Sequence, residues 1–308
     1  MKRISAILCI ICFAVFFIAC QKEGVYTPSK KIDKITCHYI GGNIDYVGET
    51  TVTQQWVWNK NGTVKEIKTD NGVIYKFTYI KKNRLVRVDI IQSLGQCYYE
   101  YIYEGETLKE TRMYRNESTW EQAQIYTFTH TGKKITGIDY EMSSKDYTSS
   151  SEMVAGMFSP MQCVLPEDVV GFMEKEQKEM AKKCAAKGMT TVKVHCDLTW
   201  SGGNVTKLEW DVSGESFGYE EPIHVIANYT YDHKKNPFRN FLLGDTYDYV
   251  FNAFQTGCFA NKNNVVKMEV TYDNPNISSF SNEFEYDYKG SYPVSKTGDM
   301  YSETFEYK

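Results

Sequence analysis

The chain has 308 residues, and its 35 Lys and Arg against 39 Asp and Glu give a formal net charge of −4. Nucleic-acid binding requires cations that neutralise phosphates, and this charge balance excludes that class of protein. Apolar residues make up 42% of the chain and charged residues 24%, which excludes both a disordered polar chain and a protein with several membrane-spanning helices. The length suits one large domain or two smaller ones.

An apolar segment begins directly after two cations at the N-terminus. It covers residues 4–18, which is shorter than the roughly 20 residues that a membrane-spanning helix needs, and it therefore indicates a secretory signal peptide. The segment ends at a small residue followed by Cys20, and this ending resembles the lipobox of bacterial lipoproteins. The resemblance implies that residues 1–19 are removed and that Cys20 carries acyl chains. Phe17 stands where the commonest lipobox has Leu, which leaves an ordinary signal-peptide cut nearby as the alternative.

The residues after Cys20 indicate which membrane the protein reaches. No Asp follows Cys20 directly, although that residue commonly retains such lipoproteins at the inner membrane, so the outer membrane is predicted. Residues 21–23 resemble the short export signals of Bacteroidetes surface lipoproteins, and the cell surface and the periplasmic face both stay open. Cleavage before Cys20 removes Lys2 and Arg3 and lowers the net charge from −4 to −6, which predicts no attraction of the peptide itself to anionic lipid.

The cysteines fall into three groups. Cys9 and Cys12 form a CxxC pair, but they lie inside the signal peptide and cannot act as a redox pair in the mature chain. With Cys20 assigned to lipid, the remaining cysteines lie in a compartment that permits disulfides. These are Cys37, Cys97, Cys163, Cys184, Cys196 and Cys258. The sequence leaves their pairing open, their spacing does not match a zinc site, and buried thiols on strands are the alternative to a disulfide.

A pair of aromatic or large apolar residues at strand spacing recurs along the chain, each time followed by a polar turn and most often by an aliphatic run. The pairs are Trp56 and Trp58, Phe77 and Tyr79, Tyr101 and Tyr103, Phe128 and His130, Leu198 and Trp200, Tyr229 and Tyr231, and Phe284 and Tyr286. Asn and Gly in the turns supply the positive φ that tight hairpins need. The pattern predicts an all-β fold with a large antiparallel meander of about 12 to 16 strands, curled or layered because flat sheets rarely exceed about 10 strands.

Residues 166–187 break this pattern, because their apolar positions fall at helical spacing. Acids lie at the start of the segment, lysines at its end and Gly188 after it, so one inserted amphipathic helix is predicted. The domain organisation that follows is a signal peptide at 1–19, a lipidated tether at 20–34 and a single β domain at 35–308. That domain divides into a first sheet segment at 35–142, a loop and helix insertion at 143–190 and a second sheet segment at 191–308.

One phrase of the sequence resembles a known pattern. Residues 231–238 read Tyr-Asp-His-Lys-Lys-Asn-Pro-Phe, which is similar to a motif of Bacteroidetes outer-membrane lipoproteins with a tyrosine-rich antiparallel sheet. The likeness extends over most of the chain from about residue 35, and the chain also loosely resembles the tyrosine-aspartate repeats of secreted β-shell proteins. It implies an all-β outer-membrane lipoprotein and supplies no catalytic residues.

Several residues suggest a catalytic or metal-binding site, but the sequence evidence for each such site is weak. Residues 214–218 fit the GxSxG pattern around Ser216, but no helix can begin at 219–222, so a hairpin loop is the better interpretation. The histidines form no HExxH and are interpreted as surface residues. Asp232, Asp245 and Asp248 lack the spacing of a calcium loop, and a carboxylate pair for glycoside hydrolysis would be invisible in sequence. No catalytic residue, cofactor or metal is predicted.

Outward-facing rings are the remaining candidates for a binding site. Tyr98 and Tyr114 could stack on a ligand, or they could simply stabilise the sheet as a cross-strand pair. The leading hypothesis is a non-catalytic envelope lipoprotein that is held to the membrane by its N-terminal lipid and binds a glycan, a peptide or a partner protein. The alternatives are a structural or assembly subunit at the outer membrane, and a hydrolase that uses Ser216 or an acidic pair.

Overall fold

The structure is a computed structural model of the whole chain. It describes residues 23–40, 49–70, 72–92, 95–116, 120–143, 191–212, 223–242, 261–273, 279–298 and 301–308. The predicted helix and the surrounding loop lie outside these residues, as do Cys20 and Ser216. The domain boundaries given above therefore stay predictions.

The described chain consists almost wholly of strands, joined by tight turns. The strands are β1 Ile32–Ile40, β2 Glu49–Trp58, β3 Val64–Thr69, β4 Ile74–Ile80, β5 Arg84–Gln92, β6 Gly95–Glu104, β7 Thr107–Asn116, β8 Trp120–Thr131, β9 Lys134–Ser143, β10 Thr191–Ser201, β11 Asn204–Val212, β12 Ile223–Tyr231, β13 Val265–Tyr272, β14 Phe280–Glu283, β15 Glu285–Lys289, β16 Tyr292–Thr297 and β17 Tyr301–Tyr307. A single 3-10 turn, Lys81–Asn83, joins β4 to β5. The predicted all-β antiparallel meander is confirmed.

The meander curls until its first and last strands meet. β1 pairs antiparallel with β2 on one side and with β17 on the other, so that Thr36 lies opposite both Thr53 and Thr304. Every other two consecutive strands pair with each other, except β14 and β15. β14 pairs with β13, and β15 pairs with β16. Phe284 separates β14 from β15 and still donates its N–H to Val266 of β13. In the described part of the chain, the sheet has 17 strands and forms a nearly closed ring.

The two faces of the ring differ in polarity. On β10, Cys196 and Leu198 are buried while their neighbours His195, Asp197 and Thr199 are exposed. Tyr99 and Tyr101 on β6 are likewise buried, and the buried apolar side chains of most strands join into one cluster, against which Tyr286 of β15 packs. The interior is therefore packed with side chains. The outward face, called here the outer wall, is polar, which is the reverse of a barrel whose wall contacts lipid.

The alternation of strand direction gives the ring two ends. The tight turns after β2, β4, β6, β8, β10 and β15 lie at one of them, together with the start of β1 and the end of β17. Neighbouring turns at this end bond to each other, as when Asn61 Nδ2 donates to Asn83 Oδ1 at 3.0 Å and the Lys262 N–H donates to the Gly203 carbonyl at 3.1 Å. We call this the turn end and the opposite one the far end.

The described cysteines are present as thiols. Cys37 and Cys196 are buried and Cys97 is half-buried. Burial raises the pKa of the Cys196 thiol far above its ordinary value, so this thiol is inert. Cys163, Cys184 and Cys258 lie outside the described residues.

Candidate functional site

The loop after β12 contains the motif that the sequence singled out, and it closes the turn end. Asp232 accepts hydrogen bonds from the backbone N–H groups of Lys234 and Asn264 at 3.0 and 3.1 Å, and from the hydroxyl of Tyr288. Asn236 accepts a bond from the Phe238 N–H at 2.9 Å. Acceptors on short side chains are well suited to fixing such turns. We call residues 232–242 the capping loop.

The capping loop sends aromatic rings into the interior of the sheet. Phe241 is buried, with its ring centroid 4.8 Å from that of Trp56 on β2 and 5.7 Å from that of Phe77 on β4. Phe238 lies 6.3 Å from Trp56 and 6.1 Å from Phe305 on β17. These contacts join the capping loop to strands on different sides of the ring. The acids and amides of the motif therefore shape a loop whose aromatic residues complete the core.

Residues 23–31, called here the entering segment, lie at the turn end and lead into β1. The Glu23 carboxylate accepts the Leu108 N–H at 2.6 Å and lies 3.1 Å from His130 Nε2. The Gly24 carbonyl accepts the Leu85 N–H at 2.9 Å. The Tyr26 hydroxyl donates to the Pro237 carbonyl of the capping loop at 2.7 Å, and its ring packs 4.9 Å from Phe241. The start of the described chain is thus fixed to three hairpins and the capping loop.

One of these residues differs from the sequence-based interpretation. The prediction that His130 is a surface residue was wrong, because its side chain is only 7% exposed where it meets Glu23. Glu23 and His130 are 107 positions apart, and no local pattern in the sequence connects them. His195 fits the surface interpretation, since about half of its side chain is exposed.

Gly24 provides a direct test of the entering segment. Its φ is +73°, and a Cβ added there would lie 1.9 Å from the Tyr103 hydroxyl oxygen. We expect Gly24→Ala to displace the segment and to increase hydrogen exchange at the Leu85 amide by about tenfold or more, because that amide loses its acceptor. Gly105→Ala is the matched control, since Gly105 also has a positive φ, of +61°, but its added Cβ would face open space. Equal Leu85 protection in the two variants would contradict this arrangement.

Tyr98 and Tyr114, the predicted stacking residues, lie opposite each other on the outer wall. Their ring centroids are 4.7 Å apart with an interplanar angle of 16°. The Arg87 guanidinium lies 3.6 Å from the centroid of Tyr98 and also bonds to Asp89. Tyr98 therefore has partners at Arg87 and Tyr114. Burial raises the pKa of the Tyr98 hydroxyl, with a further contribution from Glu100.

The outer wall also carries a row of alternating acids and histidines across β9 to β12. His195 Nδ1 lies 2.6 Å from Asp139 Oδ1 on β9, and His224 Nδ1 lies 2.7 Å from Asp211 Oδ1 on β11. His195 and Asp211 are themselves opposite each other. The bond to Asp139 raises the pKa of His195, with a smaller contribution from Asp197. Within the described ranges, no group of three or more His, Cys, Asp or Glu side chains has the geometry of a metal site.

The row of acids and histidines makes the stability of the protein depend on pH. The raised pKa of His195 means that its ion pair contributes to stability below about pH 6.5, the ordinary value, and that the contribution is lost as the pH rises through the raised pKa. We expect Asp139→Asn to lower the pKa of His195 toward 6.5, as followed by NMR titration of the imidazole. Asp273→Asn is the control, because Asp273 bonds the backbone of His224. A pKa of His195 that is unchanged in Asp139→Asn would contradict the assigned cause.

Two oppositely charged residues face each other across neighbouring strands inside the apolar core. Lys296 on β16 and Glu303 on β17 are opposite each other, and both side chains are buried. The Lys296 ammonium lies 4.4 Å from the Phe284 ring centroid, and the Cys37 thiol contacts Glu303 Oε1 at 3.9 Å. Burial lowers the pKa of Lys296 to about 8 despite the opposing effect of Glu303. Burial likewise raises the pKa of Glu303, against the effect of Lys296.

The remaining sequence candidates are not brought together with these residues. Ser216, Asp245 and Asp248 lie outside the described residues, whereas Asp232 is an acceptor inside the capping loop. In the described part of the chain, no helix is long and apolar enough to cross a membrane.

The fold is similar to that of known proteins of Bacteroides. A porin-like protein from Bacteroides vulgatus superposes with a TM-score of 0.50 at 10% identity, over 91% of this chain and 99% of that chain. A porin-like protein from Bacteroides uniformis gives a TM-score of 0.48 at 9% identity, over 94% of this chain and all of that chain. No protein-family model and no curated protein matches the sequence. The first of these similarities places the chain in the class of large antiparallel sheets that curl on themselves.

Proposed function

We propose that this chain is a lipid-anchored, non-catalytic protein of the bacterial outer membrane that binds a glycan, a peptide or a partner protein. The observation that supports this most directly is the entering segment. Glu23 is fixed at the turn end only three positions after Cys20, the predicted site of acylation. An anchor at Cys20 would hold the turn end at the membrane and direct the far end away from it.

The anchor is tested by labelling growing cells with an alkyne analogue of a fatty acid. The expected result is a labelled protein that loses its label in Cys20→Ser and keeps it in Cys97→Ser, a matched control within the sheet. Several acyl chains give lasting membrane attachment, so the protein with Cys20 should partition into detergent and the Cys20→Ser variant should not. Equal labelling of the two variants would refute acylation at Cys20.

The wall patch around Tyr98 and Tyr114 is the site we propose for a ligand. It combines a stacked ring pair with Arg87 and Arg112, and the side chain of Arg112 pairs with Glu110 at 2.6 Å. Tyr and Arg are the residues that most often dominate protein interfaces. A photocrosslinking residue at Gln122, which lies opposite Tyr114 on β8, should capture a partner, whereas the same residue at Lys76 on β4 should not.

A structural or assembly role is the second candidate, and one observation favours it. The charges of the outer wall pair with each other along the strands, as Arg87 does with Asp89 and Lys207 with Glu209, each at 2.6 Å. A subunit of a fixed assembly should yield one constant neighbour on crosslinking in cells, whereas a binding protein should yield a ligand-dependent one. Reaction of Ser216 with a fluorophosphonate probe would instead favour the hydrolase alternative.

A further inference from the structure

Positive charge is concentrated at the turn end. The turn end presents the exposed side chains of Lys60, Lys81, Lys82, Lys235, Lys262 and Lys289. Among the residues that the structure describes, none of these six forms an ion pair with a carboxylate. They come from several turns and loops, and the ring brings them to one end of the molecule. We call this face the cationic end.

The acids of the same end are largely engaged in other contacts. Glu23 lies against His130 and the Leu108 N–H, and Glu104 lies 3.3 Å from Lys109. Asp232 accepts hydrogen bonds from the backbone N–H groups of Lys234 and Asn264. At the start of β1 and the end of β17, Asp33 pairs with Lys308 and Glu306 pairs with Lys34. Glu106 is the other acid of the described turns, and Asp245 and Asp248 follow the capping loop in sequence. The formal net charge of the whole chain is −4, so a positive turn end requires an excess of negative charge elsewhere.

A pocket of about 390 Å³ opens at the cationic end between the entering segment and the capping loop. Its basic side chains are those of His233, Lys235, Arg239 and Lys262, and its lining includes no carboxylate. Ser29 of the entering segment bonds to the Tyr292 hydroxyl at the same pocket. A pocket with several cations, hydroxyl groups and no acid is chemically suited to a phosphate group.

We propose that the cationic end docks on an anionic lipid surface and that the pocket receives the phosphate of a lipid headgroup. The proposal rests on the proposed anchor, which brings this end to the membrane. The three residues from Cys20 to Glu23 span at most about 11 Å. That distance is comparable to the Debye length of ~8 Å at physiological ionic strength, so the lysines would lie within the field of the anionic headgroups.

The net charge of the mature chain predicts no attraction of the peptide itself to anionic lipid, and this docking depends instead on the clustering of lysines at one end. A lipid anchor alone leaves the protein free to tilt, whereas lysines on several hairpins in contact with headgroups would hold the ring upright. The outer wall and the far end would then face away from the membrane, where a partner can reach them. The structure thus assigns separate roles to the two ends.

The test uses residues 21–308, which contain every described residue and the ring closed by β1 and β17. This fragment lacks Cys20, so a failure of lipid docking leaves the acylation experiment unaffected. Sedimentation with vesicles is the measurement. The fragment should bind vesicles of phosphatidylcholine and phosphatidylglycerol in equal parts, should not bind pure phosphatidylcholine, and should dissociate as salt is added.

Charge reversal locates the docking surface. We expect Lys82→Glu combined with Lys235→Glu to weaken vesicle binding by about twentyfold or more, from roughly fivefold for each lysine. The matched control combines Lys68→Glu with Lys76→Glu on the outer wall and changes the net charge equally. Equal loss in the two double variants would overturn the proposal, as would equal binding to the two kinds of vesicle. Saturation of the pocket by inorganic phosphate without vesicle binding would assign the site to free phosphate and would also overturn it.

Discussion

Replacement of Lys296 by Met is expected to lower the free energy of unfolding by about 3–5 kcal/mol. The substitution leaves the Glu303 carboxyl group buried in an apolar interior without the opposing charge across the β16 and β17 pair. Glu303→Leu should be destabilising for the reciprocal reason. The measurement is equilibrium denaturation in urea with a shared m-value.

The double variant Lys296→Met with Glu303→Leu separates the pair from its surroundings. Well-packed apolar residues often replace a buried ion pair without loss, so we expect the double variant to be near the parent in stability or above it. If the loss of unfolding free energy in the double variant equals the sum of the losses in the two single variants, the two groups act independently. That result would contradict an interaction between them.

The same lysine makes the stability depend on pH. The pKa of Lys296 is lowered to about 8 in the folded chain from an ordinary value near 10.4, so the folded state binds fewer protons than the unfolded state between these values. Stability contributed by this group therefore rises with pH from about 8 to 10.4. The stability of the Lys296→Met variant should lack this rise with pH. Equal slopes of stability against pH in the variant and the parent would argue against the lowered pKa of Lys296.

Phe241→Ala is the second substitution with a large expected effect. The ring is 7% exposed and touches Tyr26, Trp56 and Phe77, so its loss opens a cavity shared by the capping loop, the entering segment and two strands. Truncation of a buried Phe costs about 3–5 kcal/mol. We expect a loss of that size in thermal or chemical denaturation, together with faster exchange at the Leu85 amide.

Ile80→Ala is the control for this truncation. Ile80 is the one large apolar side chain that is exposed among the described residues, at 54%, and its loss should change stability by less than about 0.5 kcal/mol. A cost at Phe241 no greater than the cost at Ile80 would show that the capping loop is not part of the core.

Much of the fold follows from local rules. Successive strand residues point to opposite faces, so alternation alone places Tyr99 and Tyr101 on one face with Glu100 on the other, and both rings are buried. Gly105 has the positive φ that its turn requires. The single sheet carries 17 strands where about 12 to 16 were predicted, and part of the difference is the interruption at Phe284 that divides one long strand into β14 and β15.

The candidate site was harder to predict because it depends on distant residues. Glu23 meets His130 and Tyr26 meets Pro237 over separations of 107 and 211 positions, which no local pattern records. Lys296 lies in a short strand of polar and apolar residues, and nothing in its neighbours marks it as buried. The motif at residues 231–238 was visible from its resemblance, but its role in closing the turn end required the contacts of Phe238.

The two ends, the filled interior and the position of the entering segment all depend on the pairing of the first strand with the last. A disulfide between Thr36→Cys on β1 and Thr304→Cys on β17 tests that pairing, since directly opposed strand residues are close enough for an S–S bond. Thr36→Cys with Thr53→Cys on β2 is the matched positive control. Mild oxidation followed by peptide mass spectrometry should find both crosslinks in the folded protein. Formation of the β1 to β2 crosslink without the β1 to β17 crosslink would show that the sheet is open and would contradict this account.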